Sequence, residues 1–206
     1  MTKLEFIYFD LGNVILMFDH DLMCRQMASV AGVDFSLVKQ FLFESDFQIQ
    51  YETGLITSQE FFETFCDQTN STPEKDALLQ ASSDIFELNP KMIPLLTQLT
   101  AIDFPIGILS NTCEAHWDFI CRRFPSIDWY FTKRVLSNQV QSMKPDGGIY
   151  QAAIELAGCP AKDIFFVDDK LANVDAAKEA GLFAVQFEDA LTLTKTLVEL
   201  GAKINL

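Results

Sequence analysis

A chain of 206 residues, 49% of them apolar and 19 of them Phe, carries enough hydrocarbon to fill a core, which excludes an intrinsically disordered protein. Its formal charge of −14, with a pI near 4.4, leaves no basic footprint for nucleic acid and sets it against an anionic membrane surface. The length suits one domain, or one domain carrying an insertion.

The first element is the apolar run Phe6-Ile7-Tyr8-Phe9, which ends in the single carboxylate of Asp10 and is followed by Gly12-Asn13. Bounded apolar runs of this length read as buried strands, and Gly-Asn reads as a break in the chain. The segment from Met1 to Phe18 is apolar, but Asp10 interrupts it and no small-residue cleavage site follows, so neither a signal peptide nor a membrane span is expected. The five cysteines, Cys24, Cys66, Cys113, Cys121 and Cys159, form no CxxC pair. They read as free thiols of a reducing, cytoplasmic compartment.

From Asp19 to about Asn89 the apolar residues recur at helical spacing, as in Leu22, Met23, Met27 and Val30, then Val38, Phe41 and Leu42. Breaks at Gly32-Val33-Asp34, Glu52-Thr53-Gly54 and Ser71-Thr72-Pro73 divide the stretch into four or five helices, and Thr57-Ser58-Gln59-Glu60 has the form of a capping box. This predicts an all-helical insert over residues 18–89 within a domain made of 1–17 and 90–206. Beyond Pro90 helices alternate with strands predicted at Pro105–Leu109, Asp128–Phe131, Ile164–Val167 and Phe183–Phe187. Such alternation implies an α/β fold with a parallel sheet and right-handed crossovers.

Ligands of open α/β sheets bind at the carboxyl ends of the strands. Asp10, the Ser110-Asn111 pair and the Asp168-Asp169 pair all fall at such ends, and Lys144 lies in a loop on the same side, before Pro145. Each has an ordinary account taken alone: turn chemistry, a helix cap, a charge complementing a helix dipole. Together they describe carboxylates converging on a hard divalent cation such as Mg²⁺, beside donors for phosphoryl oxygens. Asp10 is the candidate nucleophile of a phosphoryl transfer that passes through an aspartyl-phosphate.

These residues resemble the motifs of the haloacid dehalogenase-like hydrolases: Asp10-Leu11-Gly12-Asn13-Val14, Ser110-Asn111-Thr112, Lys144-Pro145, and Val167-Asp168-Asp169 with Asn173 to Ala177. The helical insert between the first and second motifs resembles the first cap class of that family. The wording of the motifs is closest to the branch that includes bacterial glucose-1-phosphate phosphatase. The resemblance implies a Rossmann-like sheet of strand order 5-4-1-2-3 and a Mg²⁺-dependent phosphatase acting on a small phosphorylated metabolite. It further implies Asp10 as nucleophile, and Asp10, the Gly12 carbonyl, Asp168 and Asp169 around the metal. Ser110 and Asn111 would hold the phosphoryl oxygens, and Lys144 would stabilise both nucleophile and transferred charge.

One departure stands out. Phosphatases of the family usually carry a second Asp where this chain has Gly12, which does no proton chemistry, although the sugar-phosphatase branch that it resembles also has Gly at this place. A substitute would come from solvent, from the substrate, or from Asp19 or His116, although Asp19 reads first as a helix cap and His116 as a surface or capping residue. The lost acid leaves two further readings open: a metal-independent dehalogenase, whose halide leaves without a proton, and a non-enzymatic binder of a phosphorylated ligand. Phe18, Phe43, Gln48 and Tyr51 are the insert residues expected to close over a substrate.

Overall fold

The computed structural model describes residues 3–205. In chain order the first half comprises β1 (Phe6–Phe9), β2 (Leu16–Phe18), α1 (His20–Ala31), α2 (Phe35–Phe43), α3 (Phe47–Glu52), α4 (Ser58–Thr69), α5 (Lys75–Ser83) and β3 (Phe86–Leu88). It continues with α6 (Ile93–Ala101), β4 (Ile106–Ser110), α7 (Glu114–Arg123), α8 (Ser126–Tyr130), β5 (Lys133–Leu136) and α9 (Ser137–Val140). The last elements are α10 (Gly147–Ala157), β6 (Ile164–Asp168), α11 (Leu171–Glu179), β7 (Phe183–Gln186) and α12 (Ala190–Glu199).

The main sheet is five-stranded and parallel, in the order β5-β4-β1-β6-β7. Counting only its own strands, this is the expected 5-4-1-2-3 order read from the other edge. The apolar runs of its strands are continuous because helices cover both faces. Ile7, Phe9, Ile108, Phe165 and Val167 join one cluster with residues of α6, α7 and α12. Phe6, Tyr8, Leu109, Ile164 and Phe166 alternate with them and join another cluster with residues of α10 and α11.

Two details of the architecture differ from expectation. The predicted strand at Asp128–Phe131 is instead the short helix α8, and the third sheet strand is Lys133–Leu136. The aromatic run Trp129-Tyr130-Phe131 imitates β-propensity. Its buried members, however, are Ile127 and Phe131, four apart, while Trp129 is exposed, which is helical spacing. The true strand hides because it is an edge strand that begins with two cations. Lys133 Nζ donates to the Leu156 and Ala157 carbonyls at the end of α10, and capping of this kind favours a cation there. The second difference is a small antiparallel sheet of β2 and β3, in which Leu16 faces Leu88 and Phe18 faces Phe86. The two passages of the chain into and out of the helical insert are thus zipped to each other.

The insert packs α1–α5 around its own cluster, which includes Met27, Val38, Phe41, Tyr51, Phe61, Phe65 and Leu78. Asp19 caps α1 by accepting from the Asp21 and Leu22 amides, and the Thr57–Glu60 capping box opens α4. Each cap satisfies amides that the first helical turn leaves free. Among the described residues, no helix is long and apolar enough to cross a membrane, and the five cysteines are free thiols.

His116 is not at the surface, as its place near a helix start implied. It is buried on α7, with Nε2 3.1 Å from the Ser82 carbonyl of α5. Burial lowers its pKa to about 4, so the folded protein keeps it neutral while the unfolded chain takes up a proton below about pH 6.5. The unfolded state therefore binds more protons between those values, and stability falls as pH drops from about 6.5 toward 4, by roughly 3 kcal/mol from this group. Urea unfolding of the parent and of His116→Gln across this window checks the sign: the loss between pH 6.5 and 4 is shallower in the variant.

Candidate active site

Parallel pairing builds the site. β1 and β6 are neighbours, with Phe9 opposite Val167, so the next residues, Asp10 and Asp168, leave the sheet side by side. β4 flanks β1 on the other side and ends in Ser110. The loop before α10 delivers Lys144, whose bond to Pro145 is cis.

Lys144 is buried, and its ammonium nitrogen lies 2.9 Å from Asp10 Oδ1 and 2.6 Å from Asp168 Oδ2. A third bond runs to the Leu109 carbonyl at 2.9 Å, which uses all three donors of the ammonium. Burial alone would lower the lysine pKa, but the two carboxylates outweigh it and hold it above its ordinary value. Burial pushes the Asp10 carboxyl up, Lys144 pulls it back down, and the charge of Asp168 adds to the rise. The Asp10 carboxylate is oriented further by the Leu11 amide, 2.7 Å from the same Oδ1.

Asp168 is fully buried and is held by more than the lysine. Its Oδ1 accepts the Lys170 amide at 2.8 Å, and Asn173 Nδ2 lies 3.0 Å from both carboxylate oxygens. Asp169 accepts from Asn13 Nδ2 at 2.9 Å. Asn13 sits in the left-handed region, with φ 56°, a conformation that Asn tolerates better than most residues. The Gly-Asn pair is therefore more than a chain break: its amide positions a carboxylate that lies 156 residues away in the chain. Carboxylate oxygens of Asp10, Asp168 and Asp169 lie within 4.8 Å of one another.

Of the remaining expected residues, Ser110 and Asn111 line the cleft with Asp10 and Lys144. The Asn111 side chain is committed to Lys144: its Nδ2 donates to the Lys144 carbonyl and its Oδ1 accepts the Lys144 amide, at 2.9 and 2.8 Å. The Asn111 side chain thus pins the lysine loop.

The cleft has a volume of about 340 Å³ and is closed on the cap side by Phe18, His20 and Glu52. A recess of about 60 Å³ adjoins it, where Phe86 and His116 join the same three residues. Of the residues expected here, Phe18 lines the cleft, and Phe43 packs against the ring of His20 at 5.0 Å. Tyr51 is buried in the insert's own cluster, and Gln48 contributes by donating to Glu52 at 2.8 Å. Asp19 is occupied in capping α1. His20 and Glu52 carry no sequence signal beyond being polar residues at helix ends, which is why sequence reasoning passed over them. At Gly12, an added Cβ would lie 2.7 Å from Phe18 Cε1.

The sequence matches the profile of the haloacid dehalogenase-like hydrolases over residues 7–181. This chain belongs to that family. Flavin mononucleotide hydrolase 1 of Arabidopsis thaliana is 27% identical over 157 residues, 76% of this chain and 63% of the plant enzyme. The chain thus spans less than two thirds of that relative's length. Pyrimidine 5'-nucleotidase YjjG of Escherichia coli is 28% identical over 171 residues, 77% of this chain and 73% of that enzyme. Among solved structures, the HAD family enzyme bt-2542 of Bacteroides thetaiotaomicron, in complex with magnesium and inorganic phosphate, superposes with a TM-score of 0.80 at 25% identity. That superposition covers 90% of this chain and 95% of that one.

Two substitutions test this hydrolase site. Lys144→Met leaves Asp10 and Asp168 buried against each other without a cation, and is expected to cost about 3–5 kcal/mol at neutral pH, read by urea unfolding. Gly12→Asp drives its Cβ into Phe18, so it is expected to lose about 1–3 kcal/mol and to regain part of that when combined with Phe18→Ala.

Proposed function

We propose that this hydrolase is a Mg²⁺-dependent phosphomonoesterase acting on a small phosphorylated metabolite, with a sugar phosphate as the leading class. One observation carries the reading: three carboxylates from two adjacent strand ends converge within 4.8 Å, with a buried lysine between two of them. Carboxylates packed so closely repel one another unless cations stand among them. Lys144 supplies one unit of positive charge to three acids, and the hard oxygen donors that remain suit Mg²⁺. Asp10, the Gly12 carbonyl and Asp168 would hold the ion, with Asp169 beside them. When bound, it supplies positive charge that neutralises phosphoryl oxygens.

The residues of the chain do the rest. The Asp10 carboxylate attacks phosphorus in line with the ester oxygen, the P–O bond breaks, and the phosphoryl group rests on Asp10. Water then attacks the same phosphorus and releases phosphate and free Asp10. Lys144 steadies the negative charge on Asp10 before attack and on the phosphoryl oxygens after it. Ser110 donates to those oxygens, and Asn111 acts through its hold on Lys144. Asn13 and Asn173 fix Asp169 and Asp168.

The division of labour follows: residues 1–17 and 90–206 form the catalytic core, and 18–89 form a cap that limits substrate size. A cleft of about 340 Å³ lies at the small end of ligand sites, which favours a compact metabolite over a macromolecule. The five free thiols suit a reducing compartment, the cytoplasm. Hydrolysis of p-nitrophenyl phosphate in Mg²⁺ tests the reading. Turnover is expected to vanish with EDTA, to return with added Mg²⁺, and to fall at least about 10³-fold in Asp10→Asn. Turnover that survives EDTA, or that Asp10→Asn retains, would defeat it.

A further inference from the structure

An alkoxide is a poor leaving group, so release of an alcohol from phosphorus calls for a proton at the ester oxygen, and the water of the second step must give one up. Position 12 has no side chain to do this, and the space beside it is closed: Phe18 Cε1 lies 2.7 Å from where a Cβ would stand. A proton carrier supplied by the protein then comes from another wall of the cleft.

The titratable groups there divide clearly. Asp10 and Lys144 are joined to each other, and Lys144 also to Asp168. Asp169 is held by Asn13. His20 stands between the rings of Phe18 and Phe43. Partial burial, with the charge of Lys170, lowers its pKa and leaves it a neutral imidazole. Buried His116 reaches only the adjoining recess and is neutral too. Glu52 remains. It lines both the cleft and the recess, and its side-chain partner is the neutral amide of Gln48 at 2.8 Å.

Its position is also built. The Glu52 carbonyl accepts from Ser137 Oγ at 2.5 Å, and the same hydroxyl accepts the Thr112 amide at 2.9 Å, two residues beyond Ser110. Gly54, with φ +72°, lies so close to the Asn138 backbone that a Cβ there would clash with the Asn138 carbonyl oxygen. The end of α3 is therefore docked on the core at the loop that carries Ser110. We propose that Glu52 is the catalytic proton carrier of this site, replacing the acid absent at position 12. The proposal rests on the phosphatase reading above.

In the first step an Asp10 oxygen bonds to phosphorus, the P–O ester bond breaks, and its electron pair stays on the leaving oxygen. That oxygen takes the proton of the Glu52 carboxyl and departs as an alcohol. In the second step water bonds to phosphorus, the Asp10–phosphorus bond breaks, and the water's proton returns to the Glu52 carboxylate. Burial raises the Glu52 carboxyl above its ordinary range, with Gln48 and Lys170 pulling the other way. The charged and titratable groups around it are Lys170, His20 and His116, with the Cys113 thiol behind them.

The test uses the full chain with Mg²⁺ and p-nitrophenyl phosphate, because nitrophenolate leaves without needing a proton. In Glu52→Gln the first step is expected to survive and the second to stall. The result is a burst of one nitrophenolate per enzyme, an accumulated phosphoenzyme, and a steady phase about 10²–10⁴-fold slower than the parent's. Glu52→Asp, which keeps a carboxyl one methylene shorter, is expected to recover part of the steady rate and to stand in if the Gln variant does not fold. A Glu52→Gln steady phase within threefold of the parent overturns the proposal. So does a folded variant that forms no phosphoenzyme, or a burst that appears in His20→Gln instead. A parent that leaves p-nitrophenyl phosphate intact in Mg²⁺ defeats the phosphatase reading itself.

Discussion

One buried ammonium holds this structure's chemistry together. Lys144 meets Asp10, Asp168 and the Leu109 carbonyl, and so joins the ends of β1, β4 and β6 at a single nitrogen. Two carboxylates at the tips of neighbouring parallel strands would repel each other strongly in a low-dielectric interior. A buried ion pair gains little net stability over apolar packing, but removing one partner is costly because the other charge is left without compensation. The arrangement is therefore better understood as fixing geometry than as adding stability. Asn111 pins the lysine backbone by two hydrogen bonds, Asn173 grips Asp168, and Asn13 grips Asp169. Three neutral amides keep the charged groups in register and add no charge of their own.

The overall charge of −14 would repel a phosphorylated ligand over any distance at which screening is incomplete. Lys144 and Lys170 line the cleft beside the carboxyls of Asp10, Glu52 and Asp169, and a divalent ion among those carboxylates would reverse the sign locally. An acidic exterior is compatible with the proposed phosphorylated ligand because the field inside a narrow cleft is set by its nearest groups.

The cap is joined to the core in two ways. The antiparallel ladder of β2 and β3 ties the outgoing and returning strands together, and Ser137 with Gly54 docks the end of α3 beside the Ser110 loop. Phe18 belongs to the first of these and faces Gly12, so the residue that closes the space of a side chain at position 12 is part of the junction itself. The bare Cα at position 12 and the aromatic ring on the cap strand are one packing solution.

The amino-acid sequence by itself determined the periodicities and the strand ends. The apolar runs that close in Asp10, Ser110 and Asp168, the helical spacing between Asp19 and Asn89, and the caps at Asp19 and Thr57 are local patterns that backbone geometry converts directly into elements. Parallel α/β topology then brings the strand ends to one face whatever the details of packing. Only the tertiary structure decided the rest. It moved the third strand from the aromatic run at 128–131 to Lys133–Leu136, because an edge strand is recognised by its partners and not by its hydropathy. It buried Tyr51 and His116 and brought His20 and Glu52 to the cleft, because which face of a helix meets a distant loop depends on contacts between segments far apart in the chain. No period within a segment encodes them.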